Sequence, residues 1–185
     1  MDASNSGNAT PLQRVVTVFG SNDPREGEAA YETAFAVGHK LAELGCAIAN
    51  GGYGGTMEAS ARGAKAGGGT TIGVTCRIWK SKPNRYIDRI IETNAFSERL
   101  ERLIALGVAG YVVLPGATGT LTELATVWEM MCKRMLPRRP LVCVGAFWQP
   151  LIDMMAAARP EAADVAARIE DADELERFFT KAVCM

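Results

Sequence analysis

Three short apolar runs, Val15–Phe19, Ala47–Asn50 and residues 111–114, each break into a turn rich in Gly, Ser or Asn that leads toward a helical pattern. The turns are Gly20-Ser21-Asn22, Gly51-Gly52-Tyr53-Gly54-Gly55 and Pro115-Gly116-Ala117-Thr118-Gly119. A chain that alternates strand, tight turn and helix in this way builds βαβ units and hence a parallel sheet. Helical periodicity over residues 27–44, Thr56–Ala66, 97–106, 119–135 and 148–157 is interleaved with further β-branched runs at 70–76, 87–92 and Leu141–Val144. A last strand-like piece at 165–169 precedes an acidic-start helix at 173–181, with Asp171 or Asp173 as its N-cap. The expected fold is three-layer α/β, a mostly parallel sheet of six or seven strands with helices on both faces. No repeat or linker divides the chain, so residues 14–185 read as one domain. Residues 1–13 read as a disordered tail that lacks the basic start and apolar core of a secretory signal.

In such a sheet the three turns gather at the carboxyl ends of the strands, where ligands bind. Glycines let the backbone approach a ligand, and the first N–H groups of the following helices have no intrahelical acceptor. The turns at 51–55 and 115–119 are therefore anion-binding devices, and two of them imply a nucleotide. Thr118 and Thr120 offer hydroxyls to a phosphate, or serve only as N-cap and helix starter. Neither GxGxxG nor GxxxxGK[ST] occurs, which speaks against an NAD-type oxidoreductase and a P-loop NTPase. The balance of 20 Lys and Arg against 21 Asp and Glu gives no reason to expect nucleic acid, and no segment is long and apolar enough to span a membrane. Five cysteines, an odd number without a CxxC, point to a reduced, cytoplasmic setting. His39 stands alone in mid-helix, so a metal centre or a Ser-His-Asp triad is poorly supported.

Glu123 reads as a first-turn carboxylate. The helix dipole alone accounts for a charge there, but next to a bound phosphate it would also reach a sugar C1′ and steady an oxocarbenium-like transition state. Arg99 is its candidate cationic partner. Leu100, Leu103 and Ile104 form the apolar stripe of that helix, so Arg99 and Arg102 are expected on its border and solvated, with Glu98 and Arg102 as an i,i+4 pair. Leu121, Leu124, Ala125, Trp128, Cys132 and Met135 share one helical face, a core surface or a dimer surface. Tyr53, Arg62, Trp79 and Trp148 could each line a pocket, and each is also explained by packing or by snorkelling at the surface, so none is assigned to the site.

The segment PGATGTLTE at 115–123 resembles the PGGxGTxxE signature of the LOG-type (Lonely Guy) proteins, phosphoribohydrolases that release free base from cytokinin riboside 5′-monophosphates. GGYGGTMEASARGAKAGG and Val18-Phe19-Gly20-Ser21 resemble the family's other Gly-rich segments, and the likeness runs roughly over residues 15–144. The resemblance implies a Rossmann-like fold, a homodimer, no metal or organic cofactor, and hydrolysis of the N-glycosidic bond of a nucleoside 5′-monophosphate such as AMP. By that match Arg99 and Glu123 are the catalytic pair. Gly20, Ser21, Gly52, Gly54, Gly55, Thr56, Gly116, Ala117, Thr118, Gly119 and Thr120 hold phosphate and ribose. Ala117 replaces the second glycine of PGG, and Ser97 and Leu100 replace a histidine and a lysine beside the arginine. The GTMEASARGA stretch, with Glu58 after the methionine, and the modified PGATGT loop resemble a sister branch that includes molybdenum-cofactor carrier proteins, which bind a phosphorylated pterin without hydrolysing a nucleotide.

Overall fold

The structure, a computed structural model, describes residues 14–180, so the tail expected at 1–13 lies outside the described residues. Among the described residues there are seven strands: β1 (Val15–Phe19), β2 (Ala47–Asn50), β3 (Thr71–Cys76), β4 (Arg89–Thr93), β5 (Gly110–Val113), β6 (Leu141–Val144) and β7 (Ala167–Ile169). They form one sheet in the order β4-β3-β2-β1-β5-β6-β7, and every pairing is parallel. The helices are α1 (Ala29–Glu43), α2 (Thr56–Ala66), α3 (Phe96–Leu106), α4 (Thr118–Cys132), α5 (Gln149–Ala158) and α6 (Glu176–Phe179). The chain builds outward from β1 to β4, then α3 carries it back across the sheet to place β5 on the other side of β1. The crevice between β1 and β5 is thus the switch point.

Strand alternation divides the core into two layers. Val16, Val18, Val112 and Leu114 point into a cluster with Tyr31, Leu41, Ala59 and Phe179, the face covered by α1, α2 and α6. Phe19, Tyr111 and Val113 point the other way, against Leu103, Leu124, Val127, Trp128 and Ile152 of α3, α4 and α5. Tyr111 is fully buried because its hydroxyl has an acceptor, the Ile104 carbonyl at 2.7 Å, and Thr17 likewise donates to the Leu103 carbonyl at 2.8 Å. α1 and α2 lie backbone to backbone. A Cβ at Gly38 would come within 1.9 Å of the Ser60 carbonyl oxygen, and one at Gly63 within 2.0 Å of that of Phe35.

Several boundaries differ from the expectation. β7 is shorter than the run 165–169 because residues Pro160–Val165 wind into a 3-10 segment before it, and the closing helix is a 3-10 turn at Asp173–Leu175 followed by the four residues of α6. Asp171 does accept the Asp173 N–H at 3.0 Å, as a local turn. β3 and β4 pair in parallel with no helix between them; the connection is a loop over residues 77–88.

Candidate active site at the switch point

Two of the Gly-rich turns are bolted together before they can do anything else. Both the N–H and the hydroxyl of Thr56 donate to the Ser21 carbonyl, at 2.8 and 3.0 Å, and the Gly54 N–H donates to Asn22 Oδ1 at 3.0 Å. Gly55 has φ +63°, and a Cβ there would sit 2.3 Å from the Ser21 carbonyl oxygen, so the junction requires glycine on both counts. Asn50, fully buried at the end of β2, closes the turn from inside. Its Nδ2 donates to the Met57 carbonyl at 2.8 Å and to Ser60 Oγ at 3.1 Å, while Oδ1 accepts the Gly52 N–H at 2.8 Å. On the far side Asn84 donates to the Tyr53 carbonyl at 2.7 Å.

The third turn leads into α4. Trp148 Nε1 donates to the Leu114 carbonyl at 3.0 Å, which pins the end of the strand, and Gly116 makes room for the Thr120 side chain, whose Oγ1 would lie 2.2 Å from a Cβ there. Ala117, not Thr118, is the N-cap. Its backbone is extended, φ −91° and ψ −155°, so alanine fits where the related signature has glycine. No side chain caps α4, and nothing lies within 4 Å of the Cβ position of Gly119. The amino terminus of this 15-residue helix therefore faces open space with N–H groups to offer an anion.

Glu123 lies one turn further in, opposite Arg99. It belongs to the second turn of α4, not the first, and is 8% exposed. Arg99 is 7% exposed, and the expectation of a solvated guanidinium fails. The physical reason is its place one turn before Leu103, on the stripe that α3 buries; Arg102, three residues on, is exposed. No Glu98–Arg102 ion pair forms among the described residues, and Glu98 accepts the Asn94 N–H at 2.9 Å instead. Arg99 Nε donates to the Val74 carbonyl at 2.8 Å, Nη1 is 3.6 Å from Glu123 Oε1, and the guanidinium lies 5.0 Å from the Trp79 ring centre and 5.9 Å from that of Tyr53. A Cβ on Gly51 would sit 2.0 Å from Arg99 Nη2, so this glycine is the notch that the guanidinium occupies. Burial pushes the Glu123 carboxyl up to about 7, against the opposing pull of Arg99. Burial also lowers the arginine from its ordinary value, with Glu123 acting the other way. Arginine nonetheless stays charged.

These groups surround a cavity of about 390 Å³, within the usual size of small-molecule sites. Of the residues expected to hold phosphate and ribose, Gly20, Ser21, Ala117, Gly119 and Thr120 line it together with Arg99 and Glu123. Gly52, Gly54, Gly55, Thr56, Gly116 and Thr118 do not; they shape the turns behind it, and the Thr118 carbonyl accepts from Thr122. Of the four residues left between pocket lining and packing, Tyr53 and Trp79 border the cavity and Arg62 and Trp148 do not; Asn22, Asp23, Gly51, Met57, Ser81 and Phe96 join them. The one available signal was the placing of Tyr53 inside a Gly-rich turn. Arg62 pairs with Glu26 on the outside, and His39 faces Glu43 on α1. On α4 the buried face runs through Thr120, Glu123, Leu124, Val127, Trp128 and Met131. Leu121 and Met135 of the expected face are exposed, while Trp128 and Met131 are buried within the chain's own core. Among the described residues no group of three or more His, Cys, Asp or Glu is placed to hold a metal ion, and no helix is long and apolar enough to cross a membrane.

Comparison with known proteins agrees with this architecture. The chain is 37% identical over 117 residues to an uncharacterized protein of Archaeoglobus fulgidus, covering 63% of this chain and 76% of that one. It is 32% identical over 116 residues to the cytokinin riboside 5′-monophosphate phosphoribohydrolase of Mycobacterium tuberculosis, covering 61% of each, so the match spans about three fifths of that enzyme. In fold it is similar to the molybdenum cofactor binding protein of Rippkaea orientalis, with a TM-score of 0.75 at 17% identity over 91% of this chain and 96% of that one. Residues 13–153 match the SLOG cluster4 family, and the chain belongs to that family.

Proposed function

We propose that the protein hydrolyses the N-glycosidic bond of a nucleoside 5′-monophosphate, AMP or an N6-modified AMP, to free base and ribose 5-phosphate. The observation that carries this reading is the buried Arg99–Glu123 pair on the cavity wall, one turn inside the uncapped amino terminus of α4. The 5′-phosphate sits on the N–H groups at Gly119 and Thr120, with Gly20 and Ser21 across the crevice. That brings the ribose to Glu123. The C1′–N bond breaks with its electron pair going to the base, and the positive charge that develops on C1′ and O4′ is stabilised by the carboxylate. Water then adds to C1′, and the proton it loses passes through Glu123 to the departing base. A carboxyl whose pKa is near 7 can take and return a proton at neutral pH. Arg99 holds the carboxylate in position and opposes the burial that makes it harder to ionise.

Glu123→Gln tests this directly. Binding of AMP should persist within a few fold while base release falls by roughly 10²- to 10³-fold, the usual effect of removing a transition-state charge partner. Equal rates for parent and variant would take Glu123 out of the chemistry.

A second reading, a carrier that binds a phosphorylated pterin or nucleotide without cleaving it, has one observation in its favour. Among the described residues lining the cavity Arg99 is the sole cation, set against the two carboxylates of Asp23 and Glu123. Ser97 is exposed and Leu100 packs on the core, so neither supplies the charge that the related enzymes carry beside the arginine. On this reading Glu123→Gln leaves affinity intact and there is no turnover to lose.

A further inference from the structure

The loop over residues 77–88 crosses from β3 to β4 without a helix and carries Trp79 to the rim of the cavity, where the Trp79 N–H is tied to the Cys76 carbonyl at 3.1 Å. Trp79 is 38% exposed and stands edge-on to Phe96, itself 41% exposed, with ring centres 6.2 Å apart. On its other side it meets Tyr53, again edge-on, at 5.9 Å. Two aromatic side chains exposed side by side at the mouth of a cavity form a contiguous apolar patch, the kind of surface that marks a ligand-binding groove. The wall offers π surface and few polar groups. The Tyr53 hydroxyl is spent on Cys76, accepting its N–H at 2.8 Å and facing its carbonyl at 3.3 Å.

Contacts across the site also fix an order. Gly119 and Glu123 lie one turn apart on α4, Glu123 faces Arg99, and Arg99 faces Trp79. A ligand with its phosphate on the amino terminus of α4 and its sugar at Glu123 has its ring at Trp79 and Phe96. We propose that Trp79 and Phe96 form the stacking seat for the heteroaromatic ring of the ligand. A wall that recognises rings by area, not by a pattern of hydrogen bonds, selects a fused bicyclic nitrogen heterocycle over a single ring. The inference rests on the phosphate position proposed above, but holds for a purine nucleotide and for a phosphorylated pterin alike.

The test is calorimetric binding of AMP, CMP, neopterin monophosphate and ribose 5-phosphate to the full chain and to Trp79→Ala and Trp79→Phe, with base release from AMP followed on the same samples. The parent should bind AMP or neopterin monophosphate more tightly than CMP. Trp79→Ala should weaken the bicyclic ligand roughly 5- to 100-fold, the range of one lost base–aromatic stack, and Trp79→Phe should restore most of it. Ribose 5-phosphate should bind all three proteins alike. Preference for AMP against neopterin monophosphate tells a nucleotide site from a pterin site. Trp79-dependent binding without base release sinks the hydrolase reading and leaves the stacking seat standing. Base release with an unchanged KM in Trp79→Ala overturns the seat and leaves the hydrolase. CMP bound as tightly as AMP, an equal loss for ribose 5-phosphate, or no binding of either bicyclic ligand also overturns it.

Discussion

Glu123 is a carboxyl that folding makes harder to ionise. Its pKa is near 7 in the folded chain and about 4.5 when exposed, so between those values the folded state holds a proton that the unfolded state has lost. Stability from this group is complete below about pH 4.5 and is lost as the pH rises toward 7, by about 3 kcal/mol in all. Base release, which needs the ionised form, should rise over the upper part of the same window. Chemical denaturation across pH 4 to 8 should show that slope in the parent and a flatter one in Glu123→Gln; parallel slopes would mean that Glu123 ionises as an ordinary surface group. Arg99 depends in turn on Gly51, whose backbone avoids positive φ and so admits alanine, but whose added Cβ would collide with Nη2. Gly51→Ala should leave the fold intact and lower base release on the order of 10²-fold through a misplaced guanidinium, as a displacement of about 1 Å can. Unchanged kinetics would show that Arg99 has another place to go. The identities of these two charged residues were legible in the sequence because of the motif around Glu123. Their burial was not, since a helix of 11 residues with arginines three positions apart at 99 and 102 does not reveal which of them overhangs the end of the sheet.

Helix ends show what local signals can and cannot tell. α1 and α2 stop where glycines at 45 and 68 adopt φ +73° and +75°, and the Cys46 and Gly69 N–H groups reach back to Leu41 and Ala64. α4 ends by the same device at Arg134, with φ +58°; the Arg134 N–H donates to Met131 and the Met135 N–H to Met130. The sequence gives no glycine there, and the helical pattern reads on to Met135, three residues beyond the observed end at Cys132. Arg134→Gly should remove a left-handed penalty on a side chain and stabilise the fold by about 0.5–1 kcal/mol. A thermal midpoint that falls instead would mean the arginine side chain compensates for its backbone. Strands were easier to place. Six of the seven lie in β-branched runs bounded by turns, and only β7 shrank markedly, because Pro160 starts a turn that consumes the front of its run.

At the scale of the molecule, alternation of strands and helices was enough to give an α/β sheet with its Gly-rich turns on one edge, and the order β4-β3-β2-β1-β5-β6-β7 puts the opening between β1 and β5. Residues 20, 99, 119 and 123 come from three separate segments, the turn after β1, α3 and α4, and the crossover through α3 is what brings them to one cavity. The aromatic rim was not legible. Nothing local marks a tryptophan in the loop 77–88 as the neighbour of an arginine twenty residues on; the pairing of β3 with β4 creates that contact. With the phosphate placed as proposed, the site has an anion-binding end, a charged middle and an aromatic end, the layout that a nucleotide would need. Chromatography of the purified protein after incubation with AMP tests that account most directly. The account predicts adenine and ribose 5-phosphate in equal amounts, formed roughly 10²- to 10³-fold more slowly by Glu123→Gln. Intact AMP after prolonged incubation with a protein that binds it would contradict hydrolysis.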